Sequence, residues 1–219
     1  SVVSLNASPD FETNTFGPFD NYVTVRLAVS DGENVRYEDG FRGINITNKN
    51  EYQAAISSLS FIAPENQDEI GAISLNDQDS NSRLSICFVG EHKQRFRFQN
   101  WEFYDEGCAD NYSYTSGSSF TIKAIAPFPD YEAGETQFKP VVEVKDWANP
   151  DPTINTQTFE LTFDITDVDD TAPTITSSGT FTIEENDTNR KVGTVTYTDV
   201  DSTDPATISL SGFDADKIT

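Results

Sequence analysis

The sequence predicts a mainly β protein of sandwich architecture, with one short helix in its N-terminal part. Three observations predict it. Thr, Val, Ile, Ser, Phe and Tyr are plentiful while strong helix formers are sparse. Apolar and polar residues alternate with period two over several runs of strand length. Turn formers such as Asp31-Gly32 punctuate those runs. Only 36% of residues are hydrophobic, yet 16 Phe, 8 Tyr and 2 Trp are enough to anchor a core, which excludes a disordered acidic tail.

Taken in order, residues 21–32 place Val23, Val25, Leu27 and Val29 on one strand face and Tyr22, Thr24, Arg26 and Ala28 on the other. Residues 34–48 are short strand material broken by Gly40 and Gly43. Residues 48–61 are the helix candidate: Asn48 or Asn50 would cap it, and Tyr52, Ala55, Ile56 and Leu59 recur at helical spacing before Pro64. Residues 70–90 read as strand, polar loop and strand, with Asp77 and Asp79 in the loop. Phe96 and Phe98 continue through a slip to Trp101 and Phe103, then into a loop tied by Cys108. Three further strands fall within residues 118–167, the last two separated by a turn at Asp146. After Pro173 the strand rhythm restarts.

The net charge is −23, from 37 acidic and 14 basic residues. Such a surface repels nucleic acid and anionic membrane, so neither is an expected partner. Adaptation to salty surroundings and neutralisation by divalent cations both account for it; clustering of the acids in short motifs favours cations. Cys87 and Cys108, a single pair in a polar β chain, suit a disulfide in an oxidising compartment. The one histidine, His92, leaves no zinc set and no histidine-based catalysis, and reads as part of a surface strand or turn. No GxSxG, phosphate loop or HExxH is present, so no enzyme is expected, although carboxylate pairs alone leave glycosidase chemistry open. No apolar run has membrane-spanning length, and the chain reads as an excerpt of a longer secreted or cell-surface protein.

Asp167-Val168-Asp169-Asp170-Thr171-Ala172-Pro173 resembles the cadherin inter-domain linker, with Asp169 and Thr171 where asparagine is usual. Pro129-Asp130-Tyr131-Glu132, Glu185-Asn186 and Asp199-Val200-Asp201 resemble other cadherin elements, in the right order and with strands between them. The resemblance covers residues 114–219 and implies a cadherin-like sandwich whose linker binds calcium. Calcium takes six to eight oxygens, and an extended DxDD segment sends alternate carboxylates to opposite sides. The implied ligands are Asp130 and Glu132 before the linker, Asp167, Asp169 and Asp170 within it, and Asp199 and Asp201 after it. Glu185 would serve the far end of its own repeat.

Residues 50–64 also resemble a segment of giant RTX-type bacterial adhesins, where a short helix precedes a strand. That resemblance implies a ligand-binding β domain over residues 1–170, ending in a cadherin-like half, and the first half of a following cadherin-like domain over residues 171–219. The expected function is calcium-dependent adhesion to a peptide or protein on another cell, with a glycan as the other ligand class. The alternative is a purely structural, calcium-stiffened extender repeat; a eukaryotic cadherin-type ectodomain is a third. Within a binding module, Asp77 and Asp79 have the spacing of a loop calcium site, and Trp101, Tyr104, Asp105, Glu106 and Asp110 combine aromatics with acids for ligand contact.

Overall fold

The computed structural model describes residues 4, 8–13, 21–99, 108–177, 179–186, 188, 191–202 and 205–218, with backbone alone over 108–113. Four short strands come first: β1 (Tyr22–Val25), β2 (Ala28–Ser30), β3 (Val35–Tyr37) and β4 (Arg42–Asn45). β1 pairs with β4, and β2 pairs with β3 as a hairpin. The hairpin turns at Asp31, whose Oδ1 accepts the N–H of Asn34 at 2.7 Å, while Gly32 takes a positive φ of 100°.

The sandwich follows: β5 (Ala55–Ile56), β6 (Ser60–Pro64), β7 (Glu69–Asn76), β8 (Ser82–Val89), β9 (Phe96–Phe98), β10 (Cys108–Tyr114), β11 (Ser119–Ala124), β12 (Gln137–Phe138), β13 (Val141–Ala148), β14 (Asn155–Glu160) and β15 (Thr162–Thr166). One sheet runs β10-β8-β13-β14, a second β5-β7-β11-β9, and a third β12-β15-β6. All pairs are antiparallel except β15 with β6, which run parallel with Thr166 opposite Pro64. Alternation builds the core: β13 turns Val142, Val144, Asp146 and Ala148 inward. The expected aromatic strand is core at Phe96 and Phe98; Phe96 meets Phe163 edge-on at 4.8 Å and Phe88 stacks on Phe98 at 4.7 Å. β7 passes so close to β6 that a Cβ on Gly71 would lie 2.5 Å from the Phe61 ring, so only glycine fits there.

The expected N-terminal helix is absent. Residues 48–61 are extended and supply β5 and β6, and the only helical piece among the described residues is a 3₁₀ turn at Ala215–Lys217. The helical spacing of Tyr52, Ala55, Ile56 and Leu59 loses to period two in β6, where Ala63 is buried and Ile62 is 74% exposed. The serines at 57, 58 and 60 favour side-chain-to-backbone bonds over helix, and Ser57 Oγ accepts the Ser74 N–H at 2.9 Å. Asn48 and Asn50 cap nothing; both are buried in polar contacts described below. Asp146 is likewise not a turn residue but sits in β13, fully buried.

Every residue of the main core lies between Ala54 and Ile165. Beyond it β16 (Thr174–Ile175) pairs with β17 (Tyr197–Thr198), and large apolar side chains of this last stretch, including Ile175, Val200, Ile208 and Phe213, are exposed.

Candidate metal centres

The parallel pairing of β6 with β15 delivers the end of one strand to the linker that leaves the other. Glu65, just past β6, is 1% exposed. Its Oε1 accepts the Val168 N–H at 2.8 Å and its Oε2 accepts the Tyr131 N–H at 2.7 Å. Its own N–H donates to Thr166 O at 3.1 Å. Asn66 adopts φ 56°, a left-handed conformation that asparagine tolerates. From there its N–H reaches Pro129 O at 3.0 Å and its Nδ2 reaches Asp170 Oδ2 at 2.6 Å. Glu65, Asp130 and Glu132 thereby bring carboxylate oxygens within 4.8 Å of one another.

Across the linker, Asp201 Oδ2 accepts the N–H groups of Asp170 at 2.9 Å and Thr171 at 2.6 Å. These backbone donors, Thr171 first, hold the Asp201 carboxyl below its usual range, while its hydrogen bond with Asp199 pushes Asp199 up. Loss of water around Glu132, with the charges of Glu65 and Asp167 nearby, pushes its carboxyl up to about 7. Like charges held this close need a cation or protons.

A second cluster lies at the opposite end of the sandwich. Glu12, Glu51 and Asp79 bring oxygens within 4.8 Å of one another. Asp79 Oδ2 accepts the Tyr52 N–H at 3.0 Å, and Asp77 Oδ1 accepts the Asp79 N–H at 2.8 Å. Glu12 Oε1 accepts the Ser80 N–H at 2.9 Å, and Asn48 Nδ2 donates to Ser80 O. Asn50 Nδ2 donates to Asp146 Oδ1 at 2.7 Å. Burial, with the charges of Asp146 and Asp79, pushes Asp77 up to about 6; burial also raises Asp79 and, with the charges of Glu12 and Asp79, Glu51.

These residues fit a hard divalent cation. Among the described residues, Glu12 Oε2, Asn48 Oδ1, Asn50 Oδ1, Asp77 Oδ2 and Asp79 Oδ1 are buried acceptors with no donor facing them, as are Asp199 Oδ1 and Asp201 Oδ1 at the other end. A buried oxygen without a donor is costly, and a cation is the partner that relieves it. Both donor sets are oxygen only, the preference of calcium and not of zinc.

The sequence-expected ligands Asp130, Glu132, Asp167, Asp170, Asp199 and Asp201 converge at the linker; the described contacts of Asp169 add nothing to that cluster. Asp77 and Asp79 meet at the other end. Trp101, Tyr104, Asp105 and Glu106 lie outside the described residues, and Asp110 is described only by its backbone in β10. Cys108 lies directly opposite Cys87 in the β10–β8 register.

Sequence reasoning missed Glu65 and most of the second cluster. An internal repeat was the signal. Pro9-Asp10-Phe11-Glu12 returns as Pro129-Asp130-Tyr131-Glu132, and Ile46-Thr47-Asn48-Lys49-Asn50-Glu51 as Ile165-Thr166-Asp167-Val168-Asp169-Asp170. Glu65-Asn66 returns as Glu185-Asn186, both asparagines at positive φ, and Asp77-Gln78-Asp79 as Asp199-Val200-Asp201. The backbone bond from Tyr52 to Asp79 is repeated by Thr171 to Asp201.

A scan of family models gives no match, and neither does a sequence search of curated proteins. Solved structures do match. A protocadherin gammaB7 EC3-6 cis-dimer structure is similar at 17% identity and TM-score 0.52, covering 78% of this chain and 36% of that one. Mouse cadherin-23 EC22-24 is similar at 17% identity and TM-score 0.52, covering 89% of this chain and 56% of that one. The chain thus spans about a third to a half of the length of these neighbours. What the likeness establishes is the fold, a cadherin-like β-sandwich.

Proposed function

We propose that this chain is a run of extracellular, cadherin-like repeats that calcium stiffens at two junctions, serving adhesion or extension at a cell surface. The observation that carries the reading is the recurrence of one acidic constellation at both ends of the sandwich, each with buried oxygens that face no donor. In this reading residues 1–50 close one repeat, residues 51–170 form a whole one, and residues 171–219 open the next. This is a finer division than a single unit over 1–170. Glu65, Asp130, Glu132, Asp167, Asp169, Asp170, Asp199 and Asp201 hold calcium at one junction; Glu12, Glu51, Asp77 and Asp79 hold it at the other. The ion offsets the charges, and the protein's own bonds from Glu65 to Val168 and from Thr171 to Asp201 fix the linker between its neighbours.

A peptide-, protein- or glycan-binding role is the second reading. It rests on Trp101, Tyr104, Asp105 and Glu106, which precede β10 in sequence, and Asp110 within it; among the described residues β10 is an edge strand, to which an extended ligand can add. The origin in an RTX-type bacterial adhesin is weakened, because the helix that carried that resemblance does not form. A Cys87–Cys108 disulfide is part of the proposal: cross-strand partners sit about 4.5–5.5 Å apart at Cα, within disulfide reach.

Small-angle scattering of the intact chain tests the main reading. Calcium is expected to lengthen the maximum dimension and narrow its distribution relative to a chelator. Identical profiles in both would contradict it.

A further inference from the structure

We infer that the two junctions are graded: the one at Asp167–Thr171 fills at lower calcium than the one at Asn48–Tyr52, so the chain loosens at its N-terminal junction first. The inference rests on the calcium reading above and concerns how these residues divide the ion between two sites.

The comparison is position by position. Asp167 and Asp169 are carboxylates, and their counterparts Asn48 and Asn50 are amides. Val168 is neutral, and its counterpart Lys49 is a cation. The acidic positions flanking the two linkers otherwise match: Asp10 with Asp130, Glu12 with Glu132, Glu51 with Asp170, Asp77 with Asp199 and Asp79 with Asp201. The N-terminal linker is therefore poorer by two carboxylates and richer by one ammonium, and residues 1–50 hold no counterpart of Glu65. Calcium affinity follows the charge of the ligand set and its rigidity.

The two amides are not idle substitutes. Asn50 is 5% exposed and spends its Nδ2 on Asp146 Oδ1, Asp146 O and Thr153 O. Asn48 is 3% exposed and spends its Nδ2 on Ser80 O. Among the described residues neither Oδ1 has a donor, so each still offers a neutral ligand oxygen. Through these bonds the amides tie the N-terminal linker to its neighbours; among the described residues the later linker is tied instead through Glu65, Asn66 and Asp201, and Asp167 and Asp169 supply charge where the amides supply donors. The N-terminal junction thus meets part of its bonding with neutral amides, and the later junction presents more negative charge to an ion.

The test is an NMR titration of the intact chain in calcium buffers, following the amides of Tyr52 and Thr171. These bond to Asp79 and Asp201, so each reports its own junction. The expected result is a midpoint for Thr171 at least about tenfold lower in free calcium than for Tyr52. Asp167→Asn with Asp169→Asn changes two exposed side chains and should leave the fold intact. That variant should raise the Thr171 midpoint toward that of Tyr52 and leave the Tyr52 midpoint where it was. Equal midpoints in the unaltered chain, or Tyr52 responding first, would overturn the grading while leaving calcium binding standing. Calcium-independent shifts at both amides would overturn the reading beneath it.

Discussion

The buried carboxylate of Glu65 accepts the backbone N–H of Val168 at 2.8 Å, joining the end of β6 to the linker that follows β15. The same carboxylate takes the Tyr131 N–H, so one side chain holds three segments far apart in sequence. Glu65→Ala leaves two backbone donors without their acceptor, at a cost of about 2–5 kcal/mol. The expected outcome is a lower melting temperature in chelator, and in calcium a smaller gain than the unaltered chain shows. Differential scanning calorimetry in both conditions measures it; an unchanged calcium gain would remove Glu65 from the site.

Asn50 and Asp146 give a second prediction. Asp146 is fully buried, with Oδ1 on Asn50 Nδ2 and Oδ2 on the Ala54 N–H at 3.0 Å. Asn50→Ala removes one partner of a buried charge and should destabilise the protein by about 1–3 kcal/mol in denaturant melts. A loss below about 0.5 kcal/mol would show that water replaces the amide freely.

The core makes a prediction independent of any metal. Phe163 is fully buried and packs edge-on against Phe61 at 5.6 Å and Phe96 at 4.8 Å. Phe163→Ala should cost about 3–5 kcal/mol, equally in calcium and chelator. A loss confined to one condition would mean that core and junctions are not separable.

The sandwich was legible in the sequence because its strands obey period two, and β13 and the Phe96–Phe98 strand bury the residues that alternation assigns to them. Residues 48–61 misled because four apolar residues happened on helical spacing, and local periodicity carries no information about the parallel pairing with β15 that decides their state. The linker acids were legible because they crowd one short stretch. Glu65 was not: a lone glutamate after a strand looks like any surface acid until the fold sets it against Tyr131 and Val168. The second cluster escaped for another reason. Its linker carries Asn48 and Asn50 in place of acids and Lys49 in place of a valine, and it takes the repeated segments, Pro-Asp-aromatic-Glu among them, to expose the correspondence.

Acidity offers a third kind of test. In calcium-free protein Glu132 is raised from 4.5 to about 7 and Asp77 from 3.8 to about 6. A carboxyl raised on folding binds more protons in the folded state than in the unfolded one. Its contribution to stability is therefore complete below the unfolded values and is lost as pH rises through about 6 to 7. Chelated protein should melt at progressively lower temperature from pH 4.5 to pH 7.5. Calcium should flatten that decline, and its apparent affinity should fall as pH drops below 7, because protons compete for the same oxygens. A chelated protein that gains stability over this range would contradict the assignment.

The most direct measurement is the calcium-dependent melting temperature of the unaltered chain beside Asp167→Ala with Asp170→Ala. Saturating calcium should raise the melting temperature of the unaltered chain by at least about 4 °C over chelator, and the double variant should lose more than half of that gain. The same gain in both proteins, or none in the unaltered chain, would contradict a calcium-held junction at this linker.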